Sequence, residues 1–293
     1  MDYQAFLKNQ SLAPSYLDTA LKWFKPLGVH IASHHDSAKK PFFLGVNGAQ
    51  GSGKSTLCAF LQFYLSQQHG LNVVTLSLDD FYLSQSDRLA MSVKVHPLFK
   101  TRGVPGTHDI ALLQKTLERL AEYGTVSLPR FSKATDNPAS VLEWPVVNAP
   151  VDVVLMEGWC WGAEPQTDAQ LRTSENELER EHDALGVWRE YVNQTLKRDY
   201  LDLYAKMHYW VMLKAPSFDC VADWRIEQEH KLKQRLTPTD AHSAVMNDTQ
   251  IRQFISYFER LTKHVLATLP DKVDCLYELD AQRHITAAQA SFL

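Results

Sequence analysis

The chain has 293 residues and a formal net charge of −4, with 45% apolar and 22% charged residues. That balance suits a globular protein with a sizeable buried core and argues against a disordered chain. The net negative charge gives no general pull toward nucleic acid or anionic membrane, so neither is an expected partner and any positive site has to be a local pocket for a small anionic ligand.

The first forty residues carry helical apolar spacing at Tyr16, Leu17, Ala20, Leu21 and Phe24. This predicts an N-terminal helical extension over 1–40, packed against one domain spanning 41–293. Met1-Asp2-Tyr3-Gln4 lacks the basic and apolar regions of a signal peptide, and no apolar run is long enough to cross a bilayer, which predicts a cytoplasmic protein. Five short apolar runs then read as buried parallel strands: Phe42–Val46, Val73–Leu78, Val151–Met156, Tyr209–Leu213 and Cys275–Leu279. Helix-like stretches begin near Lys54, Asp109, Val187, Phe218 and Asp248; Asp109 ahead of Ala111, Leu112, Leu113 and Leu117 reads as an N-cap followed by an apolar face. The alternation predicts an α/β fold with a five-stranded, mostly parallel sheet covered by helices. From 168 to 183, inside a wider polar stretch at 164–186, the chain is acidic and without apolar rhythm, as expected of an exposed insertion or a mobile flap. Cys58, Cys160, Cys220 and Cys275 are far apart with no C-x-x-C pair, so four reduced thiols are expected rather than a zinc site or disulfide framework.

The most informative segment is Gly48-Ala49-Gln50-Gly51-Ser52-Gly53-Lys54-Ser55, the pattern G-x-x-x-x-G-K-[ST] placed between a predicted strand and a predicted helix. Glycines let the backbone turn its N–H groups inward around phosphate oxygens, and the following helix aims its positive end at the same point. Lys54 would lie over the β and γ phosphates, Ser55 would offer its hydroxyl to Mg²⁺, and Gly48 through Thr56 form the expected nucleotide-binding set. The expected cofactors are ATP and Mg²⁺.

After the second strand comes Ser77-Leu78-Asp79-Asp80-Phe81-Tyr82, with two carboxylates at the carboxyl end of a strand beside the phosphate loop. Ligands bind there in open α/β sheets. A carboxylate there can take the proton of an attacking hydroxyl or help position Mg²⁺, and either of the two could do either job, with Asp80 a candidate for the metal. The third strand ends in Glu157, the shape of a Walker B acid that would hold Mg²⁺ through water.

The run Leu78 to Tyr82 resembles the D-x-F motif of the phosphoribulokinase, uridine kinase and pantothenate kinase superfamily. Together, LDDFYL (78–83), TRGVPGTHDI (101–110), LPRFSKATD (128–136), EGWCWG (157–162) and WRIEQEH (224–230) resemble the D-glycerate 3-kinase family of plants, fungi and bacterial relatives. The resemblance spans roughly residues 41–285 and departs from the family at one place, where Ala134-Thr135-Asp136-Asn137-Pro138 follows Lys133 instead of a Gly-Asp-Arg segment. It implies a P-loop NTPase three-layer fold with a helical lid, Asp79 as catalytic base, and D-glycerate as acceptor.

In that frame Lys54 and the lid residue Arg225 neutralise the transferring group, with Lys231, Lys233 and Arg235 left as surface. Asp79, Tyr82, Arg102, His108, Arg130 and Lys133 are the expected acceptor contacts; the planar fork of Arg102 matches a carboxylate, although it could equally anchor its own loop. Trp159 and Trp161 either wall the acceptor pocket or pack in the core. A monomer or homodimer is expected. Two alternatives remain at this point: a kinase for a nucleoside, pantothenate or another sugar acid, and a phosphate-loop regulatory ATPase with no organic acceptor.

Overall fold

A computed structural model describes residues 1–35, 41–235 and 248–292; within these, the side chains of 228–235 and 248 are outside the description. Helices α1 (Tyr3–Asn9), α2 (Tyr16–Thr19) and α3 (Lys25–His34) lead to strand β1 (Phe42–Gly48), followed by α4 (Lys54–His69) and β2 (Val73–Ser77). A 3-10 turn over Leu78–Phe81 and α5 (Gln85–Lys94) precede α6 (Ile110–Ala121), which Asp109 caps by accepting the Leu112 N–H at 2.9 Å. Two small antiparallel pairs follow: β3 (Gly124–Ser127) with β6 (Val146–Ala149), and β4 (Phe131–Ser132) with β5 (Asn137–Pro138). The chain then forms β7 (Val153–Gly158), α7 (Asp168–Leu171), α8 (Glu177–His182), α9 (Val187–Thr195), α10 (Leu201–Tyr204), β8 (Tyr209–Lys214), α11 (Phe218–Arg235), α12 (Asp248–Thr268), β9 (Cys275–Leu279) and β10 (Ile285–Ala290).

The five predicted strands all form and run parallel in the order β9-β8-β1-β7-β2. The sheet gains a sixth member, β10, antiparallel to β9 at one edge. Strand β7 shows why such runs lack alternation: all six of its residues are buried, Val153 and Leu155 against one face and Val154 and Met156 against the other. The first face carries Leu57, Phe60 and Leu61 of α4 together with Phe6, Leu27 and Ile31 from the N-terminal helices. The second carries Leu113 and Leu117 of α6, Trp188 of α9, and Phe258 and Leu261 of α12. Helices on both faces of one sheet make the three-layer arrangement. No described helix is long and apolar enough to cross a membrane.

The polar stretch at 164–186 is exposed at most of its positions, as expected of an insertion, but buried acids pin it to the body of the protein. Glu179 and Asp183 are 1% and 2% exposed. Arg260 of α12 donates to both oxygens of Glu179, at 2.6 and 2.5 Å, and to the carbonyls of Gln170 and Thr173 at 3.2 and 2.5 Å. Asp183 accepts the N–H groups of Trp188 and Arg189, and the Arg189 guanidinium at 3.0 Å. Buried charges need partners, and here the partners replace an apolar pattern as the glue.

Candidate active site

Register places the loop. Val46 of β1 pairs with Glu157 of β7, Ser77 of β2 pairs with Glu157 from the other side, and Gly48 pairs with Leu213 of β8. The phosphate loop, the acid that ends β7 and the turn after β2 therefore converge at the carboxyl edge of the sheet. Gly51 and Gly53 take φ of 80° and 93°, which side chains with a Cβ disfavour. At Gly48 a Cβ would come within 2.5 Å of Ser52 Oγ, so the close fold of the loop needs glycine there.

Side chains in the loop have polar atoms without partners. Gln50 Oε1 and Ser52 Oγ are buried with no hydrogen bond among the described residues, and so is Glu157 Oε2. The Ser55 hydroxyl donates to Glu157 Oε1 at 2.8 Å, and Lys54 Nζ lies 3.8 Å from Glu157 Oε2. A serine hydroxyl beside a buried, under-coordinated carboxylate fits a hard divalent cation such as Mg²⁺, which shares its coordination with phosphate oxygens and water. No cluster of three or more His, Cys, Asp or Glu side chains suited to a metal occurs among the described residues.

The two carboxylates after β2 sit in different surroundings. Burial would raise the pKa of Asp79, but the charges of Lys133 and Lys54 and hydrogen bonds from Lys133 and Tyr82 outweigh it and bring the group down to about 2. Lys133 Nζ lies 2.8 Å from Asp79 Oδ2, and Tyr82 Oη donates to Oδ1 at 3.0 Å. Asp80 moves the other way. Burial raises its pKa, and the charges of Asp79 and Glu157 add to that, while Arg130 at 3.4 Å and the Phe131 N–H at 3.3 Å only partly oppose it. Neighbouring carboxylates driven apart in this way are suited to different jobs.

The remaining predicted contacts fall into two groups. Tyr82, Arg130 and Lys133 come together around Asp79 and Asp80. His108 is 5% exposed, its Nδ1 lies 2.7 Å from Tyr200 Oη, its ring stacks on Tyr82 with centroids 4.6 Å apart, and it lines a cleft rather than the phosphate loop. It serves as a wall behind Tyr82. That cleft, of about 720 Å³ between α6 and α9–α10, is lined by none of the phosphate-loop residues. Arg102 does anchor its own protein, since Nη1 bonds Asp136. Trp159 and Trp161 are core residues, 3% and 0% exposed, and Cys160 is buried with its thiol pKa pushed up by burial.

Arg225 is half-buried on α11, which follows β8 at the same edge of the sheet. The end of that motif, Gln228 to His230, and Lys231, Lys233 and Arg235 have side chains outside the described residues. Sequence reasoning missed Arg88 and Tyr200, which support the site from behind. Arg88 reads as an ordinary helix-surface charge, and Tyr200 ends a π turn with no motif.

No family model matches the chain. It is 33% identical over 245 residues to the uncharacterized kinase mug58 of Schizosaccharomyces pombe, covering 80% of this chain and 84% of that protein. It is 28% identical over 285 residues to the chloroplastic D-glycerate 3-kinase of Arabidopsis thaliana, 87% of this chain but 57% of that protein. Among solved structures, D-glycerate 3-kinase from Cryptococcus neoformans var. grubii matches with a TM-score of 0.71 at 26% identity, covering 90% of this chain and 96% of that one. Relatives of this length and likeness, on a phosphate loop set at the edge of a parallel sheet, make the chain a kinase that belongs to the D-glycerate 3-kinase-like family of P-loop kinases.

Proposed function

We propose that this kinase transfers the γ-phosphoryl group of ATP to a hydroxyl of a small hydroxy acid, with D-glycerate as the leading acceptor. The observation that carries the reading is Asp79: an ionised carboxylate beside the phosphate loop, held by Lys133 and Tyr82. Arg130 is paired with Asp80, but Arg102 shares the single carboxylate of Asp136 with Arg88, so positive charge is in surplus near the site, which suits an anionic acceptor better than a neutral one. The names of two relatives, both D-glycerate 3-kinases, point to the same acceptor.

Asp79 is too weak a base to deprotonate an alcohol in advance. Instead, the acceptor hydroxyl displaces Lys133 or Tyr82 and donates a hydrogen bond to the carboxylate, which aligns its oxygen with the γ phosphorus. In a loose transition state the hydroxyl becomes acidic only as its oxygen bonds phosphorus, so the proton passes to Asp79 late, while the bond to the β-bridging oxygen breaks and ADP leaves. Lys54, the loop N–H groups and Arg225 stabilise negative charge on the phosphates. Ser55, Glu157 and Asp80 are the residues that would hold Mg²⁺, which when bound neutralises phosphate charge. A cytoplasmic, monomeric or dimeric enzyme completes the proposal, with residues 1–40 as an extension to the kinase domain at 41–293.

The test is ADP release from Mg²⁺-ATP with D-glycerate, L-glycerate, uridine, pantothenate or no acceptor. Stimulation by D-glycerate alone supports the reading. Steady ATP consumption that no acceptor changes would replace it with a phosphate-loop ATPase.

A further inference from the structure

Arg88 is 1% exposed on α5, and its guanidinium holds three separate segments. Nε donates to the Leu83 carbonyl at 3.2 Å and Nη1 to the Lys100 carbonyl at 3.1 Å. Nη2 donates to the Asp136 carbonyl at 3.0 Å and to Asp136 Oδ2 at 2.7 Å. Leu83 directly follows Tyr82, Lys100 lies just ahead of Arg102, and Asp136 lies just beyond Lys133. One buried cation thus gathers the three stretches of chain that carry the candidate acceptor contacts. The Gln85 N–H, donating to Asn137 Oδ1 at 2.9 Å, fastens the same turn.

Charge counting sharpens this. Lys133 faces Asp79 and Arg130 faces Asp80, one cation to one carboxylate in each case. Asp136 is shared: Oδ2 takes Arg88 and Oδ1 takes Nη1 of Arg102. A buried guanidinium needs a full counter-charge, and Arg88 has nothing but Asp136 to supply it among the described residues. The surplus positive charge of the trio therefore falls on the more exposed of its two arginines, Arg102, whose side chain is 24% exposed against 1% for Arg88. Arg102 lies 5.6 Å from the Phe131 ring, Phe131 packs edge-on against Tyr82 at 5.4 Å, and Tyr82 bonds the base Asp79. Its Nε and Nη2 carry no hydrogen bond to the described residues, leaving one edge of the planar fork for a carboxylate.

We propose that Arg88, acting through Asp136, is a positioning residue that aims Arg102 at the acceptor, and that Arg102 is the group selecting an acceptor with a carboxylate. This rests on the acceptor reading above. Asp136 occupies a left-handed conformation at φ 54°, which places its carboxylate between the two arginines. It is thereby a fixed bracket for Arg102.

The experiment is a double-mutant cycle on Arg88→Met and Arg102→Met, reading the KM of D-glycerate and of ATP separately, with unfolding curves to show that each variant folds. Arg102→Met raises the D-glycerate KM about ten- to a hundredfold, the range for losing a charge-assisted contact, with the ATP KM nearly unchanged. Arg88→Met does the same, and its effect disappears in the Arg102→Met background, because a residue acting through another has nothing left to act on. Independent effects that multiply overturn the positioning role. Asp136→Asn covers the case in which Arg88→Met does not fold: it raises the acceptor KM if Asp136 is a bracket, and a lowered KM, the sign of a competitor for Arg102, overturns the proposal. A parent enzyme that D-glycerate does not stimulate refutes the acceptor reading itself, and with it this inference; an active parent with multiplying variants refutes the inference alone.

Discussion

Acid should weaken this fold in a way that can be traced to one imidazole. His108 is 5% exposed between Tyr82 and Tyr200, and its Nε2 has no hydrogen-bond partner among the described residues. Burial pushes its pKa down from 6.5 to about 3, with the charge of Asp79 opposing only in part. The unfolded chain takes up a proton near 6.5 that the folded one refuses until about 3. Stability from this group is therefore complete above the unfolded value and is lost as pH falls through that window. At about pH 4.5 the loss covers two units, or about 3 kcal/mol at 1.36 kcal/mol per unit. The measurement is urea unfolding, followed by fluorescence of the seven tryptophans, for the parent and His108→Gln at about pH 7.5 and pH 4.5. Other groups, including His30 and His264 with their lowered pKa values and Asp80 with its raised one, shift both proteins alike and cancel in the difference. The parent should lose about 3 kcal/mol more than the variant on acidification. Parallel losses, within the roughly 10–15% error of the extrapolation, would show that the ring takes its proton in the folded state and that its burial does not keep it neutral.

Asp79→Asn should keep ATP affinity while lowering kcat by about two to four orders of magnitude in steady-state assays; near-parental turnover would move the proton acceptor elsewhere. Lys54→Ala should weaken both nucleotide binding, read by calorimetry, and turnover, because its charge meets phosphate in ground and transition states alike. Glu179→Ala leaves Arg260 buried without its counter-charge and should cost about 3 to 5 kcal/mol by chemical denaturation, whereas an exposed flap would tolerate the change within about 0.5 kcal/mol. Ser55→Ala should raise the Mg²⁺ concentration needed for half-maximal activity more than it raises the ATP KM, and an unchanged magnesium dependence would remove Ser55 from the cation site.

What could be read in advance follows from how local the signal is. The phosphate loop is a contiguous pattern whose glycines answer to backbone angles, so its strand and helix flanks were legible at once. The five parallel strands were legible because burial on both faces leaves an unbroken apolar run, as at Val153–Met156. Strand β10 was not. Its sequence Ile285-Thr286-Ala287-Ala288-Gln289-Ala290 is half exposed and low in strand-forming residues, and it forms only because β9 offers an edge to pair with.

The same distinction explains the polar parts. Composition reads acids between 168 and 183 as solvent-facing because isolated charges avoid burial, but Glu179 and Asp183 are buried by arginines that come from α12 and α9. Arg88 and Asp136 are the functional version of that case: each reads as a surface charge, and their meeting depends on how α5 and the β4–β5 hairpin dock. A motif names the groups that touch a substrate, since those lie on local geometry such as a glycine turn or a strand end. The groups that aim them act across distant segments, and their signature is a buried charge whose counter-charge belongs to another part of the chain. For this site that criterion singles out Arg88, because removing it would leave Asp136 to Arg102 alone and release the three segments that surround Asp79.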